Sequence, residues 1–161
     1  MIKSSSDSVQ VVQAYVDKAD ILDRVLGVEN SEYVGKAVAH FEKALDLDRR
    51  NTYVMLRLAE IALRRERMDV ASRWLQALFS SGPSLSYQAR AHVLAGILAA
   101  EAQKDSGAAE AHFKRAAVVS ADLESDVAQL LEMLSVPGAD IRGYWTLYEG
   151  AIEHLSSERK S

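Results

Sequence analysis

The side chains that could perform acid–base or metal chemistry are four histidines and 23 acidic residues, and the chain of 161 residues has no cysteine. Without cysteine, a disulfide framework and a thiolate-bound zinc or iron–sulfur site are excluded. His40 and His112 lie far apart in the sequence, and no His-Glu-x-x-His motif brings two histidines onto one helical face. Neither a phosphate-binding glycine loop nor a Gly-x-Ser-x-Gly elbow is present. We therefore predict no catalytic residue, no metal and no cofactor, and we expect that the protein is not an enzyme.

Arginine is the charged residue with an informative distribution. Residues 49–73 contain seven arginines and three acidic residues, a local charge of +4 in a chain of net charge −4, so the rest of the chain carries −8. A guanidinium group can bind a carboxylate through two parallel hydrogen bonds, which suits recognition of a partner's acidic residue. The alternative is a solvated helix face in which, for example, Glu60 pairs with Arg64. Because aromatic residues are sparse in this stretch and the whole chain is acidic, we expect no nucleic-acid binding.

The apolar segments are too short for a membrane span. The longest uncharged apolar run covers residues 91–100, whereas a spanning helix needs about 18 residues or more. The first residues also lack the apolar region of a secretory signal. We expect no membrane partner and a cytoplasmic location.

Three segments of the chain are similar to one another. Ala-His-Phe at 39–41 recurs at 111–113, and Ala71 lies between Ala37 and Ala109 at separations in the middle thirties. A period of this length is typical of stacked helical hairpins. In each segment the apolar residues recur at helical spacing, and another helical pattern precedes it. The predicted unit is therefore a helix, a short turn and a second helix, with Gly82-Pro83 and Gly107 as helix stops.

The flanks of the repeats are also predicted to be helical. Ser6 or Asp7 is a candidate cap for a first helix that ends at Gly27, and two further helices are predicted over 123–134 and after Asp140. We expect a single domain over 1–161. Its predicted parts are an N-terminal helix region at 6–31, a repeat core at 32–121, C-terminal helices with a cap at 122–157, and a tail at 158–161.

The unit at 52–85 is similar to a tetratricopeptide repeat. It fits that pattern without gaps, although Met55 replaces the usual Trp and Leu78 replaces a small residue; the matching positions are Leu58, Ala59, Ala71, Leu75 and Pro83. The resemblance covers about 33–121. It implies an all-α, right-handed superhelical stack of antiparallel helix hairpins, with about three repeats, about eight helices and a C-terminal capping helix.

In tetratricopeptide proteins the first helices of the hairpins line a concave groove that binds a peptide or an amphipathic helix of another protein. The resemblance thus implies a non-enzymatic adaptor whose partner is a protein, and an acidic partner would suit the arginines. The residues expected to line the groove are Tyr53, Arg57, Glu60, Arg64, Arg90, Val93 and Ile97. A shift of one residue in the third unit would present Ala89, His92 and Gly96 instead.

Other functions stay open at this point. Similarly sized tetratricopeptide chaperones of bacterial type III secretion resemble this chain in acidity and length, so a chaperone for an aggregation-prone client is the main alternative. A helical ligand-binding protein, an enzyme and a structural role in an oligomer are further alternatives. The aromatic residues Tyr144, Trp145 and Tyr148 are expected to cap the open end of the stack, or else to form a secondary docking surface.

Overall fold

The structure is a computed structural model that describes residues 5–27, 30–119 and 153. These residues form six α-helices and no β-strand. The helices are α1 (Ser5–Ile21), α2 (Ser31–Leu47), α3 (Thr52–Arg64), α4 (Met68–Ser80), α5 (Leu85–Glu101) and α6 (Ser106–Val119). The last two of the eight expected helices, including the capping helix, lie outside the described residues.

The first helix ends differently from the simple stop expected at Gly27. After Ile21 the backbone continues as a π-helical turn over Leu22–Leu26, and Gly27 follows it. A π-helical turn changes the helical register, and such turns are frequent at functional sites. Within this turn Asp23 is buried, whereas Leu26, which regular helical spacing predicts on the apolar stripe of the first helix, is 39% exposed. The helix also begins at Ser5, before both predicted caps.

Polar side chains fix the starts of three helices, α2, α3 and α5. Asn30 accepts a hydrogen bond from the backbone N–H of Glu32, and Asn51 accepts one from that of Val54. Ser84 caps α5 in the same way, through the N–H of Tyr87. Because the first N–H groups of a helix have no partner within the helix, each of these caps defines where a helix begins.

The turn between α5 and α6 is made by other residues than the sequence predicts. Gly107 is the second residue of α6 and not a helix stop. The turn is made by Lys104, which has a positive φ of 52°, and by Asp105, whose Oδ1 accepts a hydrogen bond from the N–H of Ala108 at 3.0 Å. The left-handed conformation expected of the glycine is therefore carried by the lysine. Gly82, by contrast, does adopt a positive φ of 68° just after α4.

Small and large apolar residues repeat at equivalent positions in the second helices of the hairpins. Each of α2, α4 and α6 has three buried residues, the second four positions and the third seven positions after the first, and each is 3% exposed or less. They are Ala37, Phe41 and Ala44 in α2, Ala71, Leu75 and Leu78 in α4, and Ala109, Phe113 and Ala116 in α6. Residues at these spacings share one helix face. The predicted repeat is therefore seen as a repeated packing face.

The described residues divide into two compact units, 1–58 and 59–161, and the division falls within α3. In the first unit, α1 and the π-helical turn pack against α2, with Tyr15 stacked on His40. In the second unit, α5 packs against both α4 and α6. Three- and four-residue connections join the helices of the second unit, and such short connections favour antiparallel neighbours.

Candidate functional site

Arg57 is at the centre of a charged network in the first unit. Its side chain is fully buried, and its guanidinium pairs with two carboxylates, those of Asp20 and Asp23. Nε donates to Oδ1 of Asp20 at 3.2 Å, and Nη2 donates to Oδ2 of Asp23. The ring of Phe41 lies 5.8 Å from the guanidinium carbon, a distance at which a cation is attracted to an aromatic face. Arg57 thus already binds carboxylates, and they belong to its own chain.

Tyr53 completes this network one turn before Arg57. Its hydroxyl donates to Oδ2 of Asp20 at 2.7 Å. Burial, and then the hydrogen bond to Asp20, raises the pKa of Tyr53 to about 12, so the phenol stays protonated as a donor. The side chain of Asp20 is 24% exposed whereas that of Asp23 is buried.

A second ion pair lies in the other unit. Nη2 of Arg90, on α5, donates to Oε1 of Glu60, on α3, at 3.0 Å. Glu60 is only 2% exposed, and the side chain of Arg90 is 21% exposed. Nε of Arg90 is buried and has no hydrogen-bond partner among the residues that the structure describes. An unpaired buried N–H group is costly, and because this nitrogen is buried, only the exposed part of the Arg90 side chain can meet an acceptor from outside.

The two alternative sets of groove residues on α5 lie on different sides of that helix. His92 and Gly96 lie against α6, where a Cβ added at Gly96 would come within 3.0 Å of the Phe113 ring and His92 contacts His112. Val93 and Ile97 share the helix face of Arg90 by their spacing, and both are fully buried. A partner could therefore contact Arg90 directly, but could reach Val93 and Ile97 only if the helices moved apart.

The remaining expected residues are placed as follows. Arg64, the last residue of α3, is partly exposed, and Arg65, Arg67 and Arg73 are exposed. Glu60, which the alternative interpretation pairs with Arg64, makes an ion pair across helices with Arg90. Tyr144, Trp145 and Tyr148 lie outside the described residues.

Two histidines of the second unit, His92 on α5 and His112 on α6, contact each other through their imidazole rings. Nδ1 of His92 and Nδ1 of His112 are 3.2 Å apart, and the ring centroids are 5.5 Å apart, which leaves both nitrogens nearly on the line that joins the rings. One Nδ1–H therefore donates to the other Nδ1. A metal ion bound to both rings would need the two lone pairs to converge on one point, which this geometry does not allow.

Burial is the main cause that lowers the pKa of both histidines. The pKa of His92 falls to about 4, with smaller contributions from His112 and Arg115. The pKa of His112 is lowered as well, by burial and then by Arg115. The pair is therefore neutral near pH 7. Phe79 packs on His92 with ring centroids 4.8 Å apart.

Within residues 5–27, 30–119 and 153, no group of three or more potential metal ligands is present. In the same part of the chain, no helix combines the length and the apolar character that a bilayer span requires.

Asp20 and Asp23 are the site residues that the sequence analysis missed. A signal was present, because Val12, Val16, Ala19 and Asp23 are spaced four, three and four residues apart, as on the buried face of a helix. An acidic residue at the fourth position of such a stripe predicts a buried partner of opposite charge.

Comparison with known protein families gives a match in the repeat region. Residues 34–93 match the family model described as Tetratricopeptide repeat. No curated protein and no solved structure matches the chain. The match begins in α2 and ends within α5, so the third unit of the resemblance remains a prediction beyond residue 93. The gapless unit at 52–85 lies wholly inside the match, which supports the resemblance to a tetratricopeptide repeat that Leu58, Ala59, Ala71, Leu75 and Pro83 indicated.

Proposed function

We propose that this protein is a non-enzymatic adaptor that binds a segment of another protein. The observation that carries the proposal is the tetratricopeptide match at 34–93, because repeats of this family generally serve in protein–protein interaction. Packed helices hold a binding surface ready, so a partner segment binds without the receptor losing much conformational freedom.

The partner contact is assigned to the exposed edge of Arg90, with Arg64 as a second candidate. Arg57 is less suitable because Asp20 and Asp23 already neutralise it. Arg90 shares only one nitrogen with Glu60, and its Nε has no acceptor among the described residues. That nitrogen is buried, but the side chain of Arg90 is 21% exposed, and a carboxylate or a backbone carbonyl of the partner that met its exposed part would gain a charge-assisted hydrogen bond. The proposed ligand is thus an extended peptide or an amphipathic helix with an acidic residue.

The test is the conservative substitution Arg90→Lys. Lysine keeps the positive charge that Glu60 requires but lacks the planar guanidinium fork, so the fold should be retained. Loss of a charge-assisted hydrogen bond weakens binding by about tenfold or more. The partner is first identified by affinity capture with the full chain, and its binding to the native protein and to each variant is then measured by calorimetry.

Arg67→Lys is the matched control, because Arg67 is exposed in the turn between α3 and α4. We expect the native chain and Arg67→Lys to bind the partner equally well. Equal affinity of Arg90→Lys would refute the assigned contact, and the absence of any captured protein would count against the adaptor function itself.

A further inference from the structure

The hairpin of α1 and α2 presents a row of basic side chains along one side. Lys18, Lys36 and Lys43 are the three lysines of these two helices, and all three are exposed. Lys36, His40 and Lys43 follow one another at steps of four and three residues, so they share one face of α2. On α1, Tyr15 stacks on His40 with ring centroids 5.9 Å apart. Burial, and then the positive charge of Lys18, lowers the pKa of His40, so Lys18 of α1 lies near the same face; the three lysines are named the lysine stripe.

The lysines of the stripe make no ion pair within the part of the chain that the structure describes. Nζ of Lys36 lies 5.3 Å from the ring centroid of Tyr33, and a cation–π contact of an exposed lysine is weak. Glu42 and Asp46 are four residues apart and lie on the other exposed side of α2, while Glu32 precedes the stripe in the first turn of the helix. The charge of the stripe is therefore open to a carboxylate from outside.

The spacing along α2 indicates the shape of an occupant. Lys36 and Lys43 are two helical turns apart, which is about 10 Å along the helix axis. A second helix laid along α2 presents carboxylates at the same spacing when its acidic residues recur every third or fourth position on one face. The half-buried rings of Tyr15 and Tyr33 beside the lysines offer apolar contact to the stems of such side chains. A helix that is acidic along one face thus complements the stripe in both charge and length.

Nucleic acid and an anionic membrane are less suitable occupants. Both are anionic over a length greater than the stripe, and they would also meet the acidic residues around it, since residues 5–58 contain nine acidic and seven basic residues. The whole chain has a net charge of −4, which disfavours binding to an extended polyanion. A single helix contacts the stripe alone and avoids this repulsion.

We propose that the lysine stripe binds an amphipathic helix of a partner protein that carries acidic residues along one face. Carboxylates of that helix pair with Lys36 and Lys43 of α2 and with Lys18 of α1. This surface belongs to the first unit and requires nothing of the contact assigned to Arg90. Because each pair is exposed to water, each is weak alone. The affinity comes from several pairs formed together, and it decreases as salt screens them.

The proposal is tested with the full chain and a fluorescein-labelled, alanine-based helical peptide that has glutamates at every third or fourth position along one face. The control peptide has glutamines at the same positions. Fluorescence anisotropy measures the affinity of the chain for each peptide. We expect the glutamate peptide to bind, its affinity to decrease with added salt, and the glutamine peptide to bind about tenfold more weakly or less. Failure of the glutamate peptide to bind, or equal affinity for both peptides, overturns the proposal.

Charge reversal on α2 identifies the surface. Lys36→Glu with Lys43→Glu should weaken binding of the glutamate peptide by about tenfold or more, and a peptide with lysines at the same positions should then bind this variant. Arg65→Glu with Arg67→Glu makes the same change of net charge in the exposed α3–α4 turn and should bind the glutamate peptide as the native chain does. Unchanged affinity after reversal at 36 and 43 refutes the assigned surface.

Three further measurements separate this proposal from its rivals. Arg90→Lys should leave the affinity for the glutamate peptide unchanged, so the stripe and the adaptor contact at Arg90 can fail independently. A duplex oligonucleotide or a phosphatidylserine vesicle that binds the chain more tightly than the glutamate peptide overturns the choice of occupant. A dimer of the native chain that Lys36→Glu with Lys43→Glu dissociates would identify a second copy as the occupant and overturn it as well.

Discussion

Arg57 carries its charge in the interior of the first unit, where it depends on two carboxylates. Transfer of a charge from water into a protein costs several kcal/mol unless an opposite charge and hydrogen bonds replace the lost hydration. Asp20, Asp23 and the ring of Phe41 provide that replacement. The network therefore determines how α1, α2 and residues 52–58 of α3 can pack.

Asp23→Ala should destabilise the protein strongly. The substitution removes the buried carboxylate that pairs with Arg57, which also pairs with the partly exposed Asp20. Breaking a buried ion pair from one side costs about 3 kcal/mol or more. The free energy of unfolding from urea titration measures the loss.

Asp17→Ala is the matched control on the exposed side of α1. Its effect should be about 0.5 kcal/mol or less, the usual scale for a surface substitution. Asp23→Asn should fall between the two, since the amide keeps an acceptor oxygen but not the charge. If Asp23→Ala costs no more than Asp17→Ala, the buried pair does not stabilise the fold.

The candidate site was predictable from the sequence only in part, and the reason lies in the distance along the chain between paired residues. Arg57 and Arg90 were singled out because the tetratricopeptide resemblance places them on the helices expected to line the groove. Their partners, Asp23 and Glu60, are separated from them by 34 and 30 residues. No local pattern specifies which carboxylate a given arginine meets, so the sequence analysis expected partner contacts where the structure has intramolecular pairs.

At the level of helices, α5 and α6 approach each other closely because Gly96 has no side chain. A Cβ at this position would lie 3.0 Å from two atoms of the Phe113 ring, and Phe113 is fully buried, so the ring has little room to move. The glycine is thus required by packing and not by backbone conformation. Gly96 and Phe113 both match the repeat pattern of the third unit, but their direct contact was recognisable only once the two helices were seen together.

Gly96→Ala should therefore destabilise the protein although alanine is the better helix former. The gain in helix propensity is about 1 kcal/mol, whereas overpacking a core costs about 1 to 3 kcal/mol. We expect a net loss of about 1 kcal/mol in the free energy of unfolding. Phe113→Leu introduced with Gly96→Ala should recover part of it, because the smaller side chain makes room for the new methyl group.

Gly35→Ala provides the control, since Gly35 also lies within a helix and its Cβ would meet nothing within 4 Å. Here only the propensity changes, so the variant should gain about 0.5 to 1 kcal/mol. Opposite signs for the two substitutions would establish that packing dominates at Gly96. A gain in stability for both would show that the Phe113 ring yields easily.

Over the whole molecule, the helices and their repeat were predictable, whereas the exact ends were less so. The spacing of Ala37, Ala71 and Ala109 is a property of the sequence, and all three are buried in second helices. The π-helical turn and the left-handed Lys104 were not foreseen, because each depends on tertiary contacts or on a cap rather than on residue preference. The single domain expected over 1–161 remains a prediction, since the contacts divide the chain within α3.

The stability of the whole chain should fall as the pH is lowered from about 7 to 5. The folded state holds the pKa of His92 at about 4 and lowers those of His112 and His40, whereas in the unfolded chain these groups titrate near 6.5. In this pH window the unfolded chain binds more protons, so protonation favours unfolding and stability is greatest above pH 6.5. Urea titrations at several pH values measure the slope. His92→Gln with His112→Gln should make the slope shallower and leave the part due to His40, whereas an unchanged slope would mean that the imidazole pair is not held neutral by burial.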